Sequence, residues 1–371
     1  MAHTSPSLGP VLVTGGCGFI GSHIVAELFG SEPDCQIHVI DIDCNRNRVD
    51  GVTYHTCDIS SFPDVEAVFA QAKPKTIFHV ACPESTVLQP SVFQRVNVGG
   101  AHNLLVAARN VQTVQAFINT STSSVIHDNL TDLRNADETF PVLKYPAQKR
   151  VYTLTKAEAE AEILAANREN GDTSMLTASI WPATTFGPRD TICMGKIVAN
   201  ARAGKANIQM GPGNNYHDFV YISNLVDAHI LAAKALVRAY GKPAPPKDKR
   251  VDGECFIITN DEPVEFWDFQ RSIAASVGLP VSKEDIKIIP VWVAWLFAAI
   301  SEYVTWICTF GKGHPIVTRE AVKLTTITKT LNDNKAKRVL GYKPKVSMSQ
   351  GLAIAGKWFM EEENNRTKKN V

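Results

Sequence analysis

Short apolar runs recur along the first half of the chain, each followed by a longer stretch with apolar positions at helical spacing. The runs are PVLVTG at 10–15, QIHVID at 36–41, VTYHTCD at 52–58, TIFHVA at 76–81, AFINTS at 116–121 and MLTASIW at 175–181. Their length and β-branched content predict strands, and the stretches 18–30, 62–72, 90–110 and 148–169 predict helices. Alternation of this kind predicts an α/β fold, a Rossmann-type doubly wound parallel sheet with helices on both faces. The rhythm breaks after residue 182 in a Gly/Pro-rich stretch containing FGPRD and MGPGNNYHD. CFIITN at 255–260 is expected to return to the sheet, and residues beyond about 262 to be mostly helical. These features divide the chain into a nucleotide-binding domain at 8–182 plus roughly 215–235 and 253–262. A smaller, mostly helical substrate lobe takes roughly 183–214, 236–252 and 263–360. YGKPAPPKDKR at 240–250 reads as an exposed loop and 361–371 as a flexible tail.

Residues 288–311, IIPVWVAWLFAAISEYVTWICTFG, stand apart. The unbroken apolar part, 291–300, is shorter than the roughly 20 residues a bilayer crossing takes, and Glu302 interrupts the segment just beyond it. Trp292, Trp295, Tyr303 and Trp306 suit an interface. Three readings stay open: a buried helix, a helix closing an apolar substrate mouth, and a helix lying on a membrane surface.

Bulk composition narrows the function more than the fold. Lys and Arg total 38 against 37 Asp and Glu, a net charge of +1. Such a balance gives no electrostatic reason for a nucleic-acid partner. The eight cysteines form no C-x-x-C pair, so neither a zinc site nor a redox dithiol is indicated, and no metal is expected. The opening MAHTSPSLGP lacks a basic segment followed by an apolar run, so a cytoplasmic setting is expected.

The chemistry begins at VLVTGGCGFIG. Gly15, Gly18 and Gly21 follow the first strand and open the first helix, where glycine lets the backbone approach a pyrophosphate. The N–H groups of the helix start, at Phe19 and Ile20, face the same anion. Asp41 ends the second strand, twenty residues after Gly21. A carboxylate there accepts both ribose hydroxyls and repels a 2′-phosphate, favouring NAD. Asp43 is a lesser choice, and Arg46 and Arg48 are possible phosphate receivers. Asp58 ends the third strand, where its carboxylate or the neighbouring Ile59 amide meets an adenine amino group, unless it is only a solvated strand end. Asn97 lies early in a helix beneath this edge. NTSTSS at 119–124 delivers hydroxyls to the carboxyl edge of the sheet, although such clusters are more often turns. Tyr152 and Lys156, four apart on the next helix, share a face. An ammonium beside a phenol lowers its pKa and makes it a base, yet the spacing alone also arises by chance.

Taken together these motifs resemble the extended short-chain dehydrogenase/reductase family. T-G-x-x-G-x-x-G is matched at 14–21 and Y-x-x-x-K at 152–156, and the likeness covers nearly the whole chain. SIWPATTFGPRD, HDFVYISNLVDAHILAA and NDNKAKRVLGYKPKVSMSQGL resemble later family segments. Within the family, NTSTSSVIHD and KAEAEAEILAAN are most similar to the 3β-hydroxysteroid dehydrogenase branch, and there to the decarboxylating sterol-4α-carboxylate 3-dehydrogenases of fungi. The resemblance implies NAD as cofactor, held also by Ala81 after the fourth strand and by Pro182 against the nicotinamide. It implies Thr122, Tyr152 and Lys156 as the catalytic group, with Ser121 or Ser123 as alternatives to Thr122. Tyr152 is the base, Thr122 orients the carbinol oxygen, and Lys156 holds the ribose and lowers the Tyr152 pKa. The implied substrate is a hydrophobic sterol or terpenoid whose 3β-hydroxyl is oxidised, with loss of a C4 carboxyl group as CO2 in the fungal pattern. A homodimer through 90–110 and 148–169 and peripheral contact with the endoplasmic reticulum membrane are implied as well. The alternatives are a dehydrogenase of another small alcohol or ketone, and a nucleotide-sugar epimerase or dehydratase. The latter is disfavoured because 288–310 has no cation for a diphosphate. Three departures stand out: Thr122 where the family usually has Ser, Trp181 where it has Arg before Pro182, and Cys82 where it has Ser after Ala81.

Overall fold

The computed structural model describes residues 7–84, 89–310, 313 and 315–369. Seven parallel strands form the main sheet: β1 (Val11–Thr14), β2 (Ile37–Asp41), β3 (Thr53–Thr56), β4 (Thr76–His79), β5 (Ala116–Thr120), β6 (Leu176–Pro182) and β7 (Glu254–Ile258). Their order is β7-β6-β5-β4-β1-β2-β3. CFIITN does return, pairing Ile258 with Pro182. The order reverses between β1 and β4, which opens a crevice at the carboxyl ends, where doubly wound sheets bind ligands. Burial explains the near-continuous apolar runs: β1, β4, β5 and β6 are buried at every position.

Helices cover both faces. On one side, α1 (Phe19–Ser31) turns Ile24, Val25 and Leu28 into the core. On the other, α2 (Phe62–Ala72), α3 (Gly100–Val111) and α4 (Val151–Ala165) pack side by side over Phe69, Leu104, Leu105 and Ile163. The expected helix at 90–110 is wound in three pieces: a turn at Pro90–Phe93, a π-helical segment at Gln94–Gly99 and α3. Such π segments recur at functional sites, and this one carries Asn97. α5 (Ile222–Ala239) packs beside α1 with Leu225, Val226, His229, Ala232, Ala233 and Leu236 buried, the spacing of an amphipathic helix.

Beyond the main sheet lie short strands that the hydrophobic pattern does not reveal. Val264–Glu265, Tyr216–His217, Lys329–Leu331 and Leu133–Ala136 form a four-stranded sheet in that order. At two to four residues each, they owe their existence to tertiary pairing rather than to local propensity.

Two expectations need correction. α6 (Val291–Thr309) is not a buried helix: among its residues only Ala294 and Ala298 are buried, packed near Val322 of α7 (Arg319–Leu324). It also runs past Glu302, so at 19 residues its length and mean hydropathy of 1.5 reach what a bilayer crossing needs. Glu302 does not break it because its carboxylate turns back to the Arg319 guanidinium, 2.7 Å away. The segment read as a flexible tail is also largely helical, since α8 (Met348–Lys369) runs through it. Lys357 and Glu361 pair along α8, and Glu363 meets Arg202. Residues 370 and 371 of that segment, and Gly311 of the apolar stretch, lie outside the described residues.

Candidate functional site

The glycine loop is dictated by close approach. Gly15 has φ +69°, and a Cβ there would lie 2.8 Å from the Ala81 backbone. A Cβ on Gly21 would sit 2.2 Å from the Gly15 carbonyl oxygen. Ala81 is held against this loop by Thr14, whose hydroxyl oxygen accepts the Val80 and Ala81 N–H groups at 3.2 Å each. The Thr14 hydroxyl also pairs with His79 Nδ1 at 2.8 Å, and burial pushes the His79 pKa down to about 3, so the ring is neutral. α1 starts at Gly18 with no side-chain cap and no acidic residue in its first turn. Its first N–H groups, those of Phe19 and Ile20 included, are therefore free to meet an anion.

Asp41 stands beside this anion seat. Its carboxylate accepts the Cys17 N–H at 3.0 Å and the Asp43 N–H at 3.3 Å. Both arginines that might have received a phosphate are engaged: Arg46 pairs with Asp43 at 3.4 Å, and Arg48 donates to the Cys44 carbonyl and covers the Tyr54 ring. Asp58 turns its carboxylate to Ser60, whose N–H and O–H both donate to it, at 2.9 and 2.8 Å. The Ile59 carbonyl is tied to Asn103, and the Ile59 side chain fills the space above Gly100. The residues therefore fit a dinucleotide: a backbone cradle that any Cβ would fill, an uncapped helix start, and a carboxylate at the end of β2.

The hydroxyl cluster and the Tyr–Lys helix meet at the carboxyl edge of β5 and β6. Lys156 is buried and donates to the Thr120 carbonyl at 2.7 Å. Tyr152 is half-buried, edge-on to Phe93. Thr122 is buried, accepts the Ser124 N–H at 3.2 Å, and lies within hydrogen-bonding reach of the Tyr152 phenol. Ser121 and Ser123 are buried. Burial pushes the Tyr152 pKa up, the Cys82 thiol adds to this, and Thr122 and Arg150 oppose it.

One supporting residue, Glu160, went unread in the sequence. Glu160, one turn beyond Lys156, is buried, and burial raises its pKa. Trp181 Nε1 donates to both of its oxygens, at 2.7 and 2.9 Å. At Trp181, where the family pattern has Arg, the indole N–H thus serves as donor to a buried carboxyl group. The signal was a Glu at i+4 from Lys156 in the same helix. Asn97 donates to the Thr155 hydroxyl at 3.0 Å, and its buried Oδ1 has no hydrogen-bond partner among the described residues.

Fold and site together define a Rossmann-type protein with the tyrosine–lysine helix of the short-chain dehydrogenases. The chain belongs to the 3-beta hydroxysteroid dehydrogenase/isomerase family, which it matches over residues 12–288. It is 33% identical over 369 residues to the sterol-4-alpha-carboxylate 3-dehydrogenase, decarboxylating, of Candida albicans, covering 96% of this chain and 99% of that one. The human enzyme of the same name is 32% identical, covering 92% of this chain and 85% of that one. An Arabidopsis thaliana 3beta-hydroxysteroid-dehydrogenase/decarboxylase is 33% identical over 92% of this chain and 77% of its own. Among solved structures, the Thermus thermophilus UDP-glucose 4-epimerase complex with NAD superposes with a TM-score of 0.68 at 21% identity, covering 94% of this chain and 98% of that one. That likeness shows the fold.

Proposed function

We propose that this protein is an NAD-dependent dehydrogenase that oxidises the 3β-hydroxyl of a sterol-type substrate bearing a carboxyl group on the adjacent carbon. The observation that carries this reading is the Thr122 hydroxyl beside the Tyr152 phenol at the carboxyl edge of the sheet, in a chain whose relatives over nearly full length are sterol-carboxylate dehydrogenases. Gly15, Gly18, Phe19, Ile20 and Gly21 seat the pyrophosphate, Asp41 takes the ribose hydroxyls, the Asp58–Ile59 turn and Ala81 flank the adenine side, and Lys156 and Pro182 hold the nicotinamide end. NAD, when bound, accepts the hydride. Thr122 donates a hydrogen bond to the carbinol oxygen and orients it. Tyr152 takes the hydroxyl proton. With the new carbonyl next to the carboxylate-bearing carbon, the bond to the carboxyl carbon breaks. Its electron pair flows into the carbonyl, CO2 leaves, and the resulting enolate oxygen lies against Tyr152 and Thr122, which stabilise it. The residues at 183–214, 236–252 and 263–360 form the substrate lobe in this reading.

The test is turnover on 3β-hydroxysterols with and without a 4-carboxyl group. NAD+ should support oxidation of the carboxylated sterol and NADP+ should serve poorly. Asp41→Ala should cut the NAD-over-NADP preference about tenfold or more, the loss of one charge-assisted contact. A wild type that prefers NADP+, or an Asp41→Ala variant with unchanged preference, removes Asp41 from this role.

We also propose that α6 lies on a membrane surface, on the cytoplasmic side of the endoplasmic reticulum. Trp292 is 70% exposed, Trp306 65% and Tyr303 65%, with Trp295, Phe297, Ile300, Val304 and Ile307 exposed around them. Burying one such side chain is worth about 1.5–3 kcal/mol, so leaving this many in water argues for a lipid partner. Trp292, Trp295, Tyr303 and Trp306 are all exposed, and a lipid surface is the partner proposed for them here. The protein should sediment with phosphatidylcholine vesicles, and the triple variant Trp292→Ser, Phe297→Ser, Trp306→Ser should lose at least about tenfold in partitioning, as the buried apolar area requires. Equal partitioning of wild type and variant would sink this proposal. The expected homodimer contact is assigned to the outer faces of Gln94–Gly99, α3 and α4, which are already joined by the His102–Glu162 contact at 2.7 Å.

A further inference from the structure

Among the described residues, Lys329 is a cation without a counter-ion at the edge of the catalytic crevice. Its strand, Lys329–Leu331, is held on both sides, by His217 and by Leu133. The backbone is fixed further by the Asp218 N–H, which donates to the Lys329 carbonyl at 3.0 Å. The side chain is partly buried, and its ammonium donates to the Ser124 hydroxyl at 3.4 Å. Ser124 in turn donates its backbone N–H to the Thr122 hydroxyl at 3.2 Å. Two hydrogen bonds therefore separate the Lys329 ammonium from the hydroxyl assigned to the carbinol oxygen. The neighbouring Arg150, two residues before Tyr152, is a second cation, but it has Glu320 at 3.4 Å. Among the described residues no carboxylate pairs with Lys329. Burial, helped by Arg150, pushes its pKa down to about 8, so it remains mostly protonated at neutral pH. The nearby His127 and His217 rings are themselves held neutral by burial. A partly buried ammonium facing another cation is an arrangement that stability alone does not favour.

We propose that Lys329, steadied by Ser124, is the residue that recognises the substrate's carboxylate, an assignment that rests on the function proposed above. The geometry suits it. A carboxylate on the carbon next to the carbinol lies within a few ångströms of the carbinol oxygen, as Lys329 lies two hydrogen bonds from Thr122. The contact is a charge-assisted hydrogen bond in a partly desolvated site, the stronger kind. It selects acid over neutral sterol, because a neutral substrate leaves the ammonium desolvated and unpaired. It also distinguishes substrate from product: once the carbon–carbon bond has broken and neutral CO2 has left, the remaining ketone offers Lys329 no anion, which favours its release.

The experiment compares wild type, Lys329→Met and Lys329→Arg on a 4α-carboxy-3β-hydroxysterol and on its methyl ester, with NAD+ in excess. Wild type should prefer the acid, and Lys329→Met should lower the acid-over-ester ratio of kcat/KM about 10- to 100-fold, mainly through KM for the acid. Lys329→Arg should retain most of the ratio. An equal loss on both substrates assigns Lys329 a merely structural role and overturns the proposal, as does an unchanged ratio. If Lys329→Met does not fold, the wild-type ratio decides: a value near one overturns the proposal. A wild type that oxidises neither substrate overturns the function on which the proposal rests, a different outcome from oxidation without acid preference.

Discussion

Tyr152→Phe should bind NAD with an affinity close to wild type and lose about 10²–10⁴-fold in turnover, the usual share of a positioned base. The phenol ring stays edge-on to Phe93 without its hydroxyl, so packing is retained while the proton acceptor is lost. Titration calorimetry reports NAD binding, and single-turnover formation of NADH reports the chemical step. Thr122→Ala should approach the same loss and Thr122→Ser should not, since serine keeps the hydroxyl beside the phenol. The pH dependence follows from the direction of the Tyr152 shift. Burial holds the proton on, so oxidation must speed up as pH rises toward the raised pKa. The positive nicotinamide ring, with Lys156 drawn from the Thr120 carbonyl to the ribose, should pull that pKa down. The rise of kcat, which reads the cofactor-bound enzyme, should therefore begin at lower pH than the rise measured for the free enzyme. Near-normal turnover by Tyr152→Phe would remove Tyr152 from the mechanism, and identical profiles would remove the electrostatic part.

The elements that carry the dinucleotide seat were readable because each is specified locally. β1, β4, β5 and β6 are buried on both faces, so their apolar runs are unbroken, and the glycines are forced by contacts within the loop and with Ala81. Tyr152 and Lys156 share a helix, so their spacing alone brings them together. Lys329 lacked any such signal. It lies 205 residues from Ser124 and reaches it only because a three-residue strand pairs with two others of two and four residues. The exposure of α6 was hidden for another reason. A helix that is apolar all round carries no moment to say which face is covered, and the same composition serves a core or a lipid surface. The three-piece winding around Asn97 was likewise silent, since π and α segments share one periodicity over so few residues.

Gly21→Val should abolish NAD binding at any practical concentration, raising Kd at least about a hundredfold, a loss of about 2.7 kcal/mol or more. The valine Cβ would lie 2.2 Å from the Gly15 carbonyl oxygen, and the Gly15 carbonyl carbon and Gly16 Cα are each only 2.8 Å from the same point. None of these is a side-chain tip that can swing away. Either α1 moves off the loop or the loop moves off β1, and both withdraw the free N–H groups of the helix start from the anion seat. Gly30, nine residues along the same helix, is the control. A Cβ there meets nothing within 4 Å, so Gly30→Ala should stabilise the protein by about 0.5–1 kcal/mol through helix propensity and leave NAD binding unchanged. Fluorescence titration with NAD, alongside thermal unfolding of both variants, separates the two effects. A folded Gly21→Val protein that binds NAD as wild type does would mean that the dinucleotide does not use this loop, and the pyrophosphate seat would have to be sought elsewhere along the sheet edge.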